Sequence, residues 1–174
     1  MNRSFFKLLI ILFLCLGWIG SLPHCGKGKK EAIQVSAPDF TLKTLDDQEI
    51  TLSALKGKVV LLDFWATWCG PCRESIPHLI QLGKKFQETE FKVIGMSMDR
   101  GDADAVRRFV KSMDIPYSII ITPDEVARHY GVRGLPTAIL IDKSGKVHEK
   151  IMGFNQTVAK QLEAKVADLL SEKP

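Results

Sequence analysis

Asp63-Phe64-Trp65-Ala66-Thr67-Trp68-Cys69-Gly70-Pro71-Cys72 carries the chain out of one pattern and into another. Val59 to Trp65, apolar except for Asp63, has the length and the Val, Leu and aromatic content of a buried strand. From Pro71 to Gln87 the apolar residues Ile76, Leu79, Ile80, Leu82 and Phe86 recur at mixed three- and four-residue spacings, which is one face of a helix. The two cysteines therefore fall where a strand hands the chain to the first turn of a helix.

That location gives them chemistry. At a helix N-terminus the unpaired backbone N–H groups and the positive end of the dipole favour thiolate over thiol, so Cys69 is expected to attack. Cys72 follows one helical turn later, close enough to bond to Cys69 and more enclosed, as a resolving thiol requires. Pro71 has no N–H and a fixed φ, both suited to a first helical turn, and with Gly70 it sets the stiffness of the ring the sulfurs close. A structural zinc site needs four ligands, and neither a second cysteine pair nor a His-x3-His element accompanies this one, so no metal is expected. His78, His129 and His148 are scattered and read as surface histidines.

Outward from the motif, Lys92 to Met98, Ser118 to Ile121 and Thr137 to Ile141 read as further buried strands. Ala103 to Met113 and Val158 to Leu170 repeat the helical pattern through Val106, Phe109 and Val110, and through Leu162, Val166 and Leu169. Lys143-Ser144-Gly145-Lys146 is a turn of hairpin length before Val147 to Met152, giving the sheet an antiparallel end. Parallel units, a hairpin and a closing helix make a mixed α/β sandwich.

The 174 residues carry a formal charge of +4, yet residues 1 to 30 hold five basic side chains and no acid, leaving 19 basic against 20 acidic residues. The folded part thus presents no field that would gather phosphate backbones, and nucleic acid is excluded as a partner. Cys15 and Cys25 lie in this leader, so the domain holds only the Cys69 and Cys72 pair and cannot be a disulfide scaffold. Arg3 and Lys7 precede 19 uncharged residues, Leu8 to Gly26, long enough to cross a bilayer. Residues 1–26 are read as a signal or anchor, 27–36 as a tether and 37–174 as the domain. A cleaved signal, a retained anchor and a lipoprotein are all open, the last because Leu22-Pro23-His24-Cys25 loosely resembles a bacterial lipobox, though His24 is larger than its usual small residue. Charge flanking the run is balanced and does not orient it; the outward-facing placement comes from the leader's resemblance to bacterial export segments.

Trp68-Cys69-Gly70-Pro71-Cys72 and the preceding Asp63-Phe64-Trp65 closely resemble the thioredoxin superfamily, and the likeness extends through most of 37–174. The resemblance implies a thioredoxin-like sandwich and a thiol-disulfide oxidoreductase that needs no cofactor, with Cys69, Cys72 and Asp63 catalytic and Trp68, Gly70, Pro71 and Pro136 in support. Gly134-Leu135-Pro136-Thr137 is similar to the family's Gly-Ile-Pro-Thr, which implies a cis bond before Pro136 and a client bound along Trp68, Leu135, Pro136 and Gly153. Asp63 aligns with the family's buried aspartate, whose raised pKa serves resolution; its lysine partner is replaced, the matching position being Gly95. The leader, Ala37-Pro38-Asp39-Phe40 with Thr51-Leu52, and the extra stretch Ile115 to Arg133 are similar to TlpA/ResA-type anchored thioredoxins. That branch implies an N-terminal hairpin, a central insertion, a monomer outside the cytoplasmic membrane, a membrane electron donor and client protein disulfides, those of apocytochromes c included. Ser75 stands where the branch commonly has glutamate.

Two other families share parts of this pattern. Ala37-Pro38-Asp39-Phe40 also resembles peroxiredoxins, but Leu62 and Ala66 stand where their Pro and Thr are required. Copper chaperones of the Sco type use a Cys-x3-Cys pair, one residue longer than here. Gly70-Pro71 is the dipeptide of reducing thioredoxins, at about −270 mV against about −120 mV for the oxidant DsbA, so a reductant is expected.

Overall fold

The computed structural model describes residues 35–172. The leader with Cys25, and the tether as far as residue 34, lie outside them; among the described residues no helix is long and apolar enough to cross a membrane. Thr41–Lys43 (β1) and Glu49–Thr51 (β2) form a separate antiparallel hairpin, followed by a 3-10 turn at Leu52–Leu55. Val59–Trp65 (β3), Phe91–Ser97 (β4), Ser118–Ile121 (β5), Thr137–Ile141 (β6) and Val147–Met152 (β7) build one sheet in the order β5-β4-β3-β6-β7. β3, β4 and β5 are parallel, and β6 and β7 are antiparallel to their neighbours. The helices are Gly70–Lys85 (α1), Ala103–Ser112 (α2), Asp124–His129 (α3) and Gln156–Ser171 (α4). This is the thioredoxin-like α/β sandwich expected, N-terminal hairpin included.

β3 is central and buried on both faces, which is why it reads as a continuous apolar run. Its side chains alternate: Val60, Leu62 and Phe64 pack with Phe40, Ile94, Ile120 and Tyr130 on one face. Val59, Leu61 and Trp65 point to the other, against α1 and α4 through Leu79, Leu82, Leu162 and Val166, and against α2 through Val106. The crossovers β3–α1–β4 and β4–α2–β5 advance in the same direction across the sheet, so right-handedness places both helices on one side. Ala127 of α3 lies in the core of the opposite side.

The extra stretch Ile115 to Arg133 contributes edge strand β5 and α3. Backbone pairing starts slightly before Ala37: Val147 donates to the Val35 carbonyl and Ser36 bridges to Lys146. The fold brings the C-terminal ends of β3 and β4 to one edge, where open parallel sheets place their sites. β6 runs against β3 with Thr137 opposite Phe64, so the residue before it, Pro136, reaches that same edge.

Candidate active site

Cys69 caps the N-terminus of α1 in extended backbone, φ −84° and ψ 105°, and its Sγ accepts the Cys72 N–H at 3.3 Å. One orphan donor of the first turn is thus spent on sulfur, the interaction that favours a thiolate there. The two cysteines are joined, with S–S 2.06 Å and Cα–Cα 5.3 Å, so the structure is the oxidised state. Cys72 is fully sealed and Cys69 is 5% exposed, while the neighbouring Trp68 is 70% exposed. Pro71 occupies the first turn, as its missing N–H allows. Access from solvent therefore comes past Trp68 to Cys69 first.

Asp63 is 1% exposed, and desolvation pushes its pKa up to about 7. Gly95 faces it across β3–β4 and Ala138 across β3–β6, so no lysine lies opposite. The carboxyl Oδ2 has no hydrogen-bond partner among the described residues. A buried carboxyl that titrates near neutral pH can take or give a proton, as thiol chemistry requires.

The Leu135–Pro136 bond is cis. Gly153 N–H donates to the Pro136 carbonyl at 2.9 Å and Thr137 Oγ1 to the Gly134 carbonyl at 2.7 Å, fixing the turn from both sides. Among the described residues, neither N–H nor C=O of Leu135 is engaged by backbone. Both remain available to an extended partner strand.

Residues 33–150 match the family described as AhpC/TSA, well over half of the chain. The chain belongs to the AhpC/TSA family. A thiol-disulfide oxidoreductase ResA of Bacillus thuringiensis subsp. konkukian is 39% identical over 156 residues, 87% of this chain and 89% of the relative. The Bacillus subtilis ResA is 32% identical over 84% of this chain and 82% of its own length. A crystal structure of a Chlorobium tepidum protein described as thiol:disulfide interchange protein DsbE superposes with a TM-score of 0.74 at 36% identity, covering 79% of this chain and 97% of that one. Within this thioredoxin-like family the chain is a thiol-disulfide oxidoreductase.

The AhpC/TSA member holds its motif with residues that the sequence did not single out. Asp99, nearly buried, accepts from Thr67 N–H at 3.0 Å, Thr67 Oγ1 at 2.5 Å and Ser97 Oγ at 2.9 Å. Arg73 Nη2 donates to the Thr67 carbonyl at 2.9 Å while its guanidinium covers the Phe109 ring. Both ends of the Thr67 peptide are thereby clamped just before Trp68 and Cys69. An aspartate 32 positions away leaves no local signal; only its place at the end of β4, beside the end of β3, brings it there. Ser75 is buried and donates to the Cys72 carbonyl at 2.9 Å, an intrahelical bond, so it offers no acid where the branch commonly has one.

Proposed function

We propose that this protein is an exported, membrane-tethered reductant of client protein disulfides, with Cys69 the attacking sulfur and Cys72 the resolving one. The observation that carries the reading is the unequal burial of the pair at the N-terminus of α1, with exposed Trp68 and the unengaged Leu135 backbone beside it. The client lies extended along Leu135 and Pro136, between Trp68 and Gly153, as an added strand.

In the reduced protein Cys69 thiolate attacks one client sulfur; an intermolecular S–S bond forms, the client S–S bond breaks, and the released client thiolate takes a proton from water. Asp63, ionised, accepts the Cys72 proton, and Cys72 thiolate then attacks Cys69 Sγ. The second client thiolate leaves and is protonated. Two electrons pass to the client, and a membrane electron donor returns two to the Cys69–Cys72 disulfide. Export rests on the uncharged stretch Leu8 to Gly26, and clients on that side of the membrane, apocytochromes c among them, follow from the likeness to anchored thioredoxins. The peroxidase alternative fails at Leu62 and Ala66, both fully buried apolar side chains where a peroxide-binding Pro and Thr would stand.

The test is capture. Cys72→Ser should retain clients on Cys69 as mixed disulfides, visible as dithiothreitol-sensitive adducts in the membrane fraction. Adducts on Cys69→Ser and none on Cys72→Ser would reverse the two roles. Equilibration of the leader-free domain with dithiothreitol or glutathione sets the direction: a potential near or below about −270 mV supports a reductant, and one near about −120 mV makes the protein a disulfide donor.

A further inference from the structure

Three buried side-chain polar atoms among the described residues have no partner: Asp63 Oδ2, Trp65 Nε1 and the Tyr117 hydroxyl. They belong to one neighbourhood. Asp63 lies on β3 between Leu61 and Trp65, on the seam between two packed clusters, and Tyr117 packs against both clusters. Gly95 explains how they fit. A Cβ at Gly95 would come within 3.0 Å of Trp65 Nε1, 3.3 Å of Tyr117 Cε2 and 2.4 Å of Ile119 Cδ1, so both rings fill the space that a side chain opposite Asp63 would occupy. One acceptor and two donors are complementary, and buried polar groups are rarely left without partners.

Tyr117 differs from Trp65 in one respect. Trp65 is fully sealed, whereas the Tyr117 ring is half-buried, with its outer side lining surface cavities beside Lys92 and Arg107 and its hydroxyl turned inward. β4 and β6 present Gly95 and Ala138 to Asp63, α4 brings apolar Leu162 and Val166, and α1 brings Cys72 into the cluster with Trp65. Among the described residues of these elements, Tyr117 and, once the disulfide is reduced, Cys72 are the titratable groups on this side of Asp63. Burial, and the charge of Asp63 after it, hold the Tyr117 phenol well above its ordinary pKa, so it remains a donor at any working pH.

We propose that Tyr117 is the positioning residue for Asp63: its hydroxyl, through one bridging water, donates a hydrogen bond to the ionised carboxylate that accepts the Cys72 proton. The inference rests on the proton role given to Asp63 above and names the group that makes that role workable without a lysine. A donor to the ionised form lowers the pH at which Asp63 ionises, keeping a fraction of it ready as a base at neutral pH.

Tyr117→Phe tests this, since it removes the hydroxyl and keeps the ring that packs over Gly95. Carbon-13 NMR of the Asp63 carboxyl in the reduced full chain gives its midpoint. In parallel, 5,5′-dithiobis(2-nitrobenzoic acid) reports resolution as the second thionitrobenzoate released. Tyr117→Phe should raise the Asp63 midpoint by about half a pH unit or more, moving the pH profile of the second release with it. A midpoint within about 0.2 of the parent, or one that falls, overturns the proposal. Asp63→Asn separates the two readings: if the pH step of the second release survives in it, Asp63 is not the proton acceptor, whereas Tyr117 is still judged by the carboxyl midpoint.

Discussion

Asp63 is the residue at which stability and chemistry conflict. Its pKa in the folded protein is about 7, against about 4 for an unfolded aspartate. Between those values the folded state holds a proton that the unfolded state has lost, so stability falls as pH rises from about 4 to 7 and is flat above. Below about pH 4 both states are protonated and the group costs only its unpaired burial. Asp63→Asn cannot ionise, so its stability should lose this slope, and at pH 8 it should exceed the parent by roughly 2–4 kcal/mol. Denaturant titrations of the oxidised proteins at pH 5 and pH 8 measure both quantities, and equal slopes in the two would place the titration elsewhere. The aspartate itself was legible in the sequence as a lone acid in an apolar run. Its surroundings were not, because only the pairing of β3, β4 and β5 brings the Trp65 and Tyr117 rings over Gly95, opposite Asp63.

At the scale of elements, legibility followed length and pattern. β3, β5, β6 and β7 have the ends expected from their apolar runs, and β4 is shifted by one residue. α1, α2 and α4 each carry enough turns for a face to recur. The six residues of α3 supply fewer than two turns, so periodicity could not announce it; its N-cap is Pro123 with no side-chain cap bond, and it is held by packing of Ala127 and by Tyr130, whose hydroxyl donates to the Pro38 carbonyl at 2.6 Å. The β4–β5 contact depends on Gly95 in the same way. Gly95→Ala forces a methyl against Ile119, Trp65 and Tyr117, and should cost about 1–3 kcal/mol of overpacking, read as a lower denaturation midpoint with an unchanged slope. Unaltered stability would mean that the two rings can withdraw from the seam.

For the whole molecule, the redox state and the fold are linked. A disulfide that closes a loop of four residues stabilises by about 2 kcal/mol in the chain-entropy account. A reductant is expected to hold its oxidised form more firmly than its reduced one, whereas DsbA is oxidising because its reduced form is the stabilised one. The oxidised domain should therefore unfold at higher denaturant concentration than the dithiothreitol-reduced domain, by a difference of about 2 kcal/mol. The opposite order would indicate a disulfide donor, and the capture experiment would then look for clients gaining disulfides.

The sequence by itself determined the redox pair and the class of fold. Both depend on neighbours along the chain: a strand run, a helix face, and two cysteines one turn apart at the junction. Through the likeness that the motif carries, it also led to the cis bond before Pro136 and to a buried Asp63 of raised pKa. Only the tertiary structure decided what surrounds them. Thr67 is clamped by Asp99, and Gly95 stands opposite Asp63 under the Trp65 and Tyr117 rings, because parallel pairing of β3, β4 and β5 sets residues distant in the sequence side by side. Those contacts are products of strand order and register, which no local pattern of residue types encodes.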